Sequence, residues 1–281
     1  VKVGDAVSDI KVGDRVGVGA QCHRCLLSNC KRCSTDQEHH CTNEFTTTYD
    51  ARYPDGSKAY GGFAKYWRGP AAFVFHIPDT MSSETAAPML CGGLTVFTPL
   101  KENGAGPSKR VGIVGMGGLG HFGILFAKAM KADEVIAISR SSSKKSDALS
   151  MGVDGFIATG EESDWPTKYA DVLDLIISTV SGPGFELEKY LSLLDVKGTL
   201  IQVGAPEDPI PSFHAFSLLR KDLKLGGSLV GSRNIAKEML ELAAKAGVSA
   251  WVSTRPMSEA NEAIVDMANG KARYRYVLTN A

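Results

Sequence analysis

The sequence predicts an α/β protein in which a β-rich first part with irregular loops precedes a doubly wound parallel sheet. Three observations predict it. Residues 1–90 are rich in Gly, Val and turn pairs, with no helical period. From Lys109 onward, short apolar runs alternate with amphipathic stretches, the pattern of parallel strands joined by crossover helices. And 281 residues, at about 150 per domain, make two domains the natural division.

In the first part, Gly4-Asp5, Gly13-Asp14 and Pro54-Asp55-Gly56 are turn signals beside short Val-rich runs. The second part opens with an apolar strand over Arg110–Val114, a glycine-rich turn, and a helix over His121–Lys131. Strands are then predicted at Val135–Ile138, Val172–Ile177 and Thr199–Val203, with helices near Lys144–Met151 and Phe185–Leu194 between them. Asn234–Ala246 places Ile235, Met239, Leu242, Ala243 and Ala246 on one helical face. The tail from Val248 adds a strand, a helix with Ser258 as its N-cap, and a last strand over Arg275–Leu278. No internal repeat or low-complexity segment is present.

Lys plus Arg (31) balance Asp plus Glu (31), so charge gives no case for nucleic acid or an anionic membrane surface. The longest uncharged stretch, Thr85–Leu100, is short for a bilayer and carries Pro88, Gly92, Gly93 and Pro99. The expected partner is a small molecule, with no nucleic acid and no membrane.

Gly115-Met116-Gly117-Gly118-Leu119-Gly120 fits G-x-G-x-x-G between a predicted strand and a predicted helix, the context the motif requires. The first glycine allows the tight turn, the second admits a pyrophosphate to the backbone, and the third lets helix pack on strand. Unpaired N–H groups at the helix N-terminus then face the phosphates. A site for NAD would carry Asp or Glu about twenty residues on. Here Ser139-Arg140-Ser141-Ser142-Ser143-Lys144-Lys145 stands instead, so Arg140 and Lys144 could pair with a 2′-phosphate and Ser139 could donate to it. NADP(H) is the expected cofactor.

Of six cysteines, Cys22, Cys25, Cys30, Cys33 and Cys41 cluster, while Cys91 stands apart. A chain of this length builds its core without disulfides, so the cluster reads as metal ligands. Cys30-Lys31-Arg32-Cys33 and Cys22-His23-Arg24-Cys25 are both C-x-x-C knuckles, and spacing alone leaves open which cysteine is spare. Four thiolates close a zinc coordination sphere, which makes such a zinc structural. His23, His39 and His40 read as surface-loop histidines.

In this order, these motifs resemble the zinc-dependent medium-chain dehydrogenase/reductase superfamily, and within it the NADP-dependent, cinnamyl-alcohol-dehydrogenase-like branch with its fungal broad-specificity members. The resemblance also rests on Val12-Gly13-Asp14-Arg15-Val16, Gly61-Gly62-Phe63-Ala64, the run from Ala86 to Val96, and Arg273-Tyr274-Arg275-Tyr276. It implies a GroES-like β-rich catalytic domain, incomplete here, and a Rossmann domain. It implies that Cys25, Cys30, Cys33 and Cys41 hold the structural zinc, with Cys22 spare, and that Cys91 is one ligand of a catalytic zinc. It further implies cofactor contacts from Thr95, Gly115, Gly117, Gly118, Leu119, Gly120, Ser139, Arg140, Ser141, Lys144, Thr179, Gly204, Ser228, Leu229 and Val230.

The implied division is 1–90 for the remainder of the GroES-like domain, 91–247 for the Rossmann domain, and 248–281 for a segment returning to the first. The implied function is hydride transfer between NADPH and an aromatic or aliphatic aldehyde or alcohol, by a cytoplasmic homodimer. The family's other catalytic-zinc ligands, a Cys and a His followed by Glu, match nothing from Val1 onward, so the expectation is an inactive chain lacking its N-terminal segment. Two alternatives are a zinc-free NADPH-dependent reductase of the same superfamily and a non-catalytic NADP-binding protein with a structural zinc only.

Overall fold

The computed structural model describes residues 2–180, 182, 184–205 and 209–280. The chain forms two compact units, Val1–Leu94 with Val230–Ala281, and Thr95–Leu229.

The second unit is built on six parallel strands: β1 (Arg110–Val114), β2 (Glu134–Ser139), β3 (Gly155–Ala158), β4 (Leu173–Ser178), β5 (Leu194–Gln202) and β6 (Lys224–Gly227). Their order across the sheet is β6-β5-β4-β1-β2-β3, so the winding reverses between β1 and β4. In such sheets the crevice at the carboxyl ends of the strands beside the reversal is where ligands bind. The strands are apolar because both faces are covered: Val111, Ile113, Ile138, Leu175, Ile176 and Ile177 are all essentially inaccessible. On one face Ile113 lies under Gly123 of the helix Gly120–Ala129, whose Phe122 and Phe126 are fully buried. Phe97 of the helix Leu94–Glu102 meets Phe126 edge-on at 5.2 Å. Another core cluster gathers Ile136, Ile138, Leu173, Ile176 and Leu200 with Trp165 and Leu191, and within it Tyr190 stacks on Phe185 at 4.7 Å. Each such side chain contributes about 1.5–3 kcal/mol by leaving water.

The expected parallel sheet is present, with differences at particular elements. β3 and β6 are absent from the sequence reading because each has only four residues and carries glycine, which weakens any apolar period. β5 begins five residues before the predicted Thr199, because Asp195, Val196 and Lys197 are not buried and interrupt the apolar run. The preceding helix is correspondingly shorter, Leu187–Ser192.

The first unit is made of short strand pairs. Val16–Val18 pairs antiparallel with Val74–His76, Gln21–Arg24 with Phe45–Thr47, and Tyr49–Arg52 with Lys58–Tyr60. Val252–Pro256 and Arg275–Thr279 form a parallel pair. Between the last two strands, Ser258 sits inside a 3₁₀ turn (Met257–Glu259), and the α-helix Ala260–Ala268 follows without a side-chain cap. Ser258 is therefore not the N-cap expected for it; the tight turn delays the helix.

The helix Arg233–Ala246 also belongs to the first unit, which differs from the division at 247 read from sequence. Its start is bonded to residues of the first unit: Gln21 Nε2 donates to the Gly231 carbonyl at 2.8 Å, and Asp36 and Glu38 hold residues 232–234. The boundary at 91 shifts likewise. Ser83–Pro88 is α-helical and Met89–Gly93 widens into a π-helical turn before the helix Leu94–Glu102 begins, so Cys91 stays with the first unit.

Candidate dinucleotide site and thiol cluster

The glycine turn leaves β1 at Gly115, whose φ of +92° only glycine adopts without strain. A Cβ there would also strike Val180 and Thr179. A Cβ on Gly120 would land on the Gly115 carbonyl oxygen, so the helix can begin here only without a side chain. Gly117 is the opposite case: a Cβ would meet nothing within 4 Å. Its backbone thus borders open space at the N-terminus of a ten-residue helix, where the positive end of the helix dipole attracts an anion.

The next strand of the βαβ unit brings its loop back to this turn. Ser139 ends β2, Arg140 follows it exposed, and Lys144 Nζ donates to the Met116 carbonyl inside the glycine turn at 2.5 Å. Ser141 and Ser143 share a hydroxyl contact at 3.0 Å. One feature is not visible in the local sequence. Glu161, on the turn after β3, accepts from the Ser142 N–H at 2.8 Å and its hydroxyl at 3.1 Å. A carboxylate therefore does reach this loop, from a strand that the sequence reading did not include.

At the ends of β4 and β5, Thr179 Oγ1 donates to the Val114 carbonyl at 2.8 Å and so braces the glycine turn from behind. Gly204 lies so close to the Thr179 carbonyl that a Cβ would press on it at 2.7 Å. Gln202 ties the two loops together, donating to the Val180 and Gly204 carbonyls at 3.1 and 2.8 Å. Ser228 follows β6 with its N–H on the Gln202 carbonyl, Leu229 is exposed, and Val230 adopts φ 44°, a strained value for a β-branched residue. Thr95 is half-buried in the first turn of its helix.

In the first unit, the sulfurs of Cys25, Cys30, Cys33 and Cys41 all lie within 4.8 Å of one another. Three of the pairs are at 3.5 Å (Cys25–Cys41), 3.6 Å (Cys25–Cys33) and 3.9 Å (Cys30–Cys41). A tetrahedron with metal–sulfur bonds of about 2.3 Å has edges of about 3.8 Å, so the quartet fits a four-thiolate zinc. Burial raises the Cys41 thiol, but the backbone N–H groups of Glu44, Cys25 and Asn43 outweigh it and bring the pKa down to about 6. Cys22 is outside the quartet, wholly buried, with its thiol on the Thr47 carbonyl at 3.3 Å.

Of the three histidines of this region, His40 keeps its surface-loop reading, while His23 and His39 differ from it. His39 is buried, and that burial lowers its pKa to about 4. His23 lies in a strand, partly buried and bonded to Glu44 at 2.7 Å, while His40 is exposed. Glu38, next to His39, is bonded to Arg233 at the start of the chain's later helix, a long-range contact that local sequence does not reveal.

Comparison with known proteins bears on the same two features. A family model described as zinc-binding dehydrogenase matches residues 118–245, and one described as alcohol dehydrogenase GroES-like domain matches residues 1–79. The NADP-dependent alcohol dehydrogenase 6 of Saccharomyces cerevisiae is 44% identical over 275 residues, covering 96% of this chain and 75% of that protein. The chain belongs to the zinc-binding medium-chain dehydrogenase family. Solved structures agree: a cinnamyl alcohol dehydrogenase of Sorghum bicolor superposes with a TM-score of 0.92 at 34% identity, covering 99% of this chain and 78% of that one. The Helicobacter pylori cinnamyl alcohol dehydrogenase complexed with NADP(H) gives 0.88 at 33%, with the same coverage.

Within this dehydrogenase chain, Cys91 is exposed on the π-helical turn, and a Cβ on the adjacent Gly92 would strike the Arg275 guanidinium. Among the described residues, the quartet is the one group of three or more His, Cys, Asp or Glu with metal-holding geometry, and Cys91 is not in it. Nor do His76 or His121 join it: His76 bonds the Asp9 carbonyl at 2.9 Å, and His121 is buried in the helix after the glycine turn. The described residues therefore do not make a three-ligand site at Cys91. Among them, no helix is long and apolar enough to cross a membrane.

Proposed function

We propose that this chain carries the NADP(H)-binding and structural-zinc machinery of an NADP-dependent alcohol dehydrogenase that interconverts aldehydes and alcohols. The observation that carries the cofactor reading is the Lys144 ammonium seated on the glycine turn, with Arg140 beside it and no acidic residue at the end of β2. In this reading the N–H groups of Gly117–Gly120 hold the pyrophosphate, and Arg140, Lys144, Ser139 and Ser141 hold the 2′-phosphate. Thr179 and Gln202 keep the strand-end loops in register, and Thr95, Gly204, Ser228, Leu229 and Val230 line the nicotinamide side. Bound NADPH supplies the hydride.

Cys25, Cys30, Cys33 and Cys41 hold a zinc whose four protein ligands leave no place for substrate, so its contribution is to the fold. Cys91 would donate one ligand to a second metal. Because the described residues bring no further ligands to it, the chemistry assigned here to the chain does not pass through that position. The same fact favours, as a second reading for residues 1–281 alone, an NADP-binding protein with one structural zinc. The relatives' names, alcohol dehydrogenases among them, support an alcohol as the substrate class.

We also place the protein in the cytoplasm as a homodimer. A cluster of four cysteines with metal-holding geometry suits a reducing compartment. Phe216, Leu219 and Leu229, all exposed, flank β6, which is hydrogen-bonded on one side only. Calorimetric titration of residues 1–281 with NADPH and NADH tests the cofactor assignment: NADPH binds at least tenfold more tightly, and equal affinities would refute it.

A further inference from the structure

The loop between Cys33 and Cys41 presents two carboxylates to a helix that begins 195 residues later. Asp36, in the left-handed conformation (φ 58°), accepts from Ser232 Oγ at 2.9 Å and from Asn234 Nδ2 at 2.9 Å. Glu38, 1% exposed, accepts from the Arg233 N–H at 2.6 Å and its Nε at 3.3 Å. These residues are the N-terminus of the helix Arg233–Ala246. Ser232 is its N-cap, accepting from the Ile235 N–H at 3.1 Å while donating to Asp36, so Asp36 fixes the hydroxyl in the rotamer that caps. The two carboxylates also set negative charge at the positive end of a 14-residue helix.

Among the described residues, the regular structure inside this loop is two 3₁₀ turns, Cys33–Thr35 and Glu38–His40, which are marginal alone. Its two ends, Cys33 and Cys41, meet in the thiol quartet, beside a hydrogen bond from Arg32 Nη1 to Thr42 Oγ1 at 2.9 Å. We propose that Asp36 and Glu38 couple metal occupancy of the quartet to docking of the helix Arg233–Ala246. A Zn²⁺ ion that ties Cys33 to Cys41 shapes the loop, the loop orders the N-terminus of the helix, and by reciprocity the docked helix tightens the hold on the ion. The inference rests on the four-thiol reading given above, and it adds the route by which the ion acts on a distant element.

Hydrogen–deuterium exchange on residues 1–281, with Zn²⁺ content measured in parallel, tests it. In the wild type, one Zn²⁺ per chain slows exchange of residues 232–238 about tenfold relative to chelator-treated protein. Asp36→Ala, at an exposed position, keeps one Zn²⁺ but loses most of that protection, and it releases Zn²⁺ to a chromogenic chelator about tenfold faster. Glu38→Gln, which keeps the shape and removes the charge, shifts both readouts the same way by less. Exchange in β1 stays unchanged in every variant and reports that the second unit is intact. A wild type that binds one Zn²⁺ without any response in the helix, or an Asp36→Ala variant with full zinc-dependent protection, overturns the coupling alone. A wild type that takes up no Zn²⁺ overturns the four-thiol reading and the coupling together.

Discussion

A methyl group added at Gly117 would enter open space, whereas one added at Gly120 would collide with the Gly115 carbonyl oxygen. The two substitutions should therefore separate binding from folding. Gly117→Ala leaves the melting temperature within about 1 °C and weakens NADPH at least tenfold, because the methyl occupies the phosphate approach. Gly120→Ala costs about 2 kcal/mol or more of stability, read by urea denaturation, before any ligand is added. Arg140→Asp should weaken NADPH by about 2 kcal/mol while leaving NADH nearly unchanged, since it replaces a charge-assisted donor with a repelling carboxylate. Glu161 acts in the opposite sense: bonded to Ser142, its carboxylate sets a negative charge on the loop proposed to hold the 2′-phosphate, so Glu161→Gln should tighten NADPH several-fold in the same titration. Spacing exposes the glycine turn, and the four-thiol cluster is close to legible, because both are local constraints written in a few consecutive residues. Glu161 and the buried Glu38 were not legible, because their partners, Ser142 and Arg233, lie far from them in sequence.

At the scale of elements, the end of the parallel sheet where its central strands begin is pinned by one guanidinium. Arg110, first residue of β1, reaches Asp174 of β4 at 2.7 Å and Asp195 of β5 at 2.9 Å. Hydrogen bonds from Arg110 hold the Asp174 carboxyl below its ordinary range, and the Val196 N–H with Arg110 does the same for Asp195. Depressed folded-state values mean that the stability they confer is complete above the unfolded value near 3.9 and is lost as pH falls below it. Urea midpoints measured from pH 6 down to pH 3 should fall more steeply in the wild type than in Asp174→Asn; parallel curves would exclude a role for this pair. The strands themselves were readable where apolar residues run together, as at Val135–Ile138 in β2 and Leu175–Ile177 in β4. β6 was not, since Lys224-Leu225-Gly226-Gly227 has neither length nor alternation and is a strand only because β5 offers it an edge. The cap of the helix Arg233–Ala246 escaped in the same way: an apolar face locates a helix, but Ser232 precedes the first apolar position by three residues. Ser232→Ala should destabilise by about 1 kcal/mol, measured by urea denaturation.

For the molecule as a whole, residues 1–281 should bind about one zinc per chain and show no NADPH oxidation with an aromatic aldehyde, because four ligands gather at the quartet and none join Cys91 among the described residues. Elemental analysis and an absorbance assay check this; two zincs with steady turnover would show that Cys91 is completed by residues not identified here. The two-part architecture was legible from the change of texture at Lys109, but its seams were not. The first unit is discontinuous in sequence, and which unit claims the helix after Val230 depends on bonds to Gln21, Asp36 and Glu38 that no local pattern contains. That discontinuity imposes an order on biosynthesis. At about 5–20 residues per second, a ribosome needs roughly 10–40 seconds to travel from Asp36 to Arg233. During that interval the cysteine loop is complete and free to capture its ion, the parallel sheet can close on itself, and Glu38 waits in water for the partner that will later bury it. The bonds that Gln21, Asp36 and Glu38 make can form only when residues 231–234 emerge, so the N-terminus of that helix is the last piece the cysteine loop waits for.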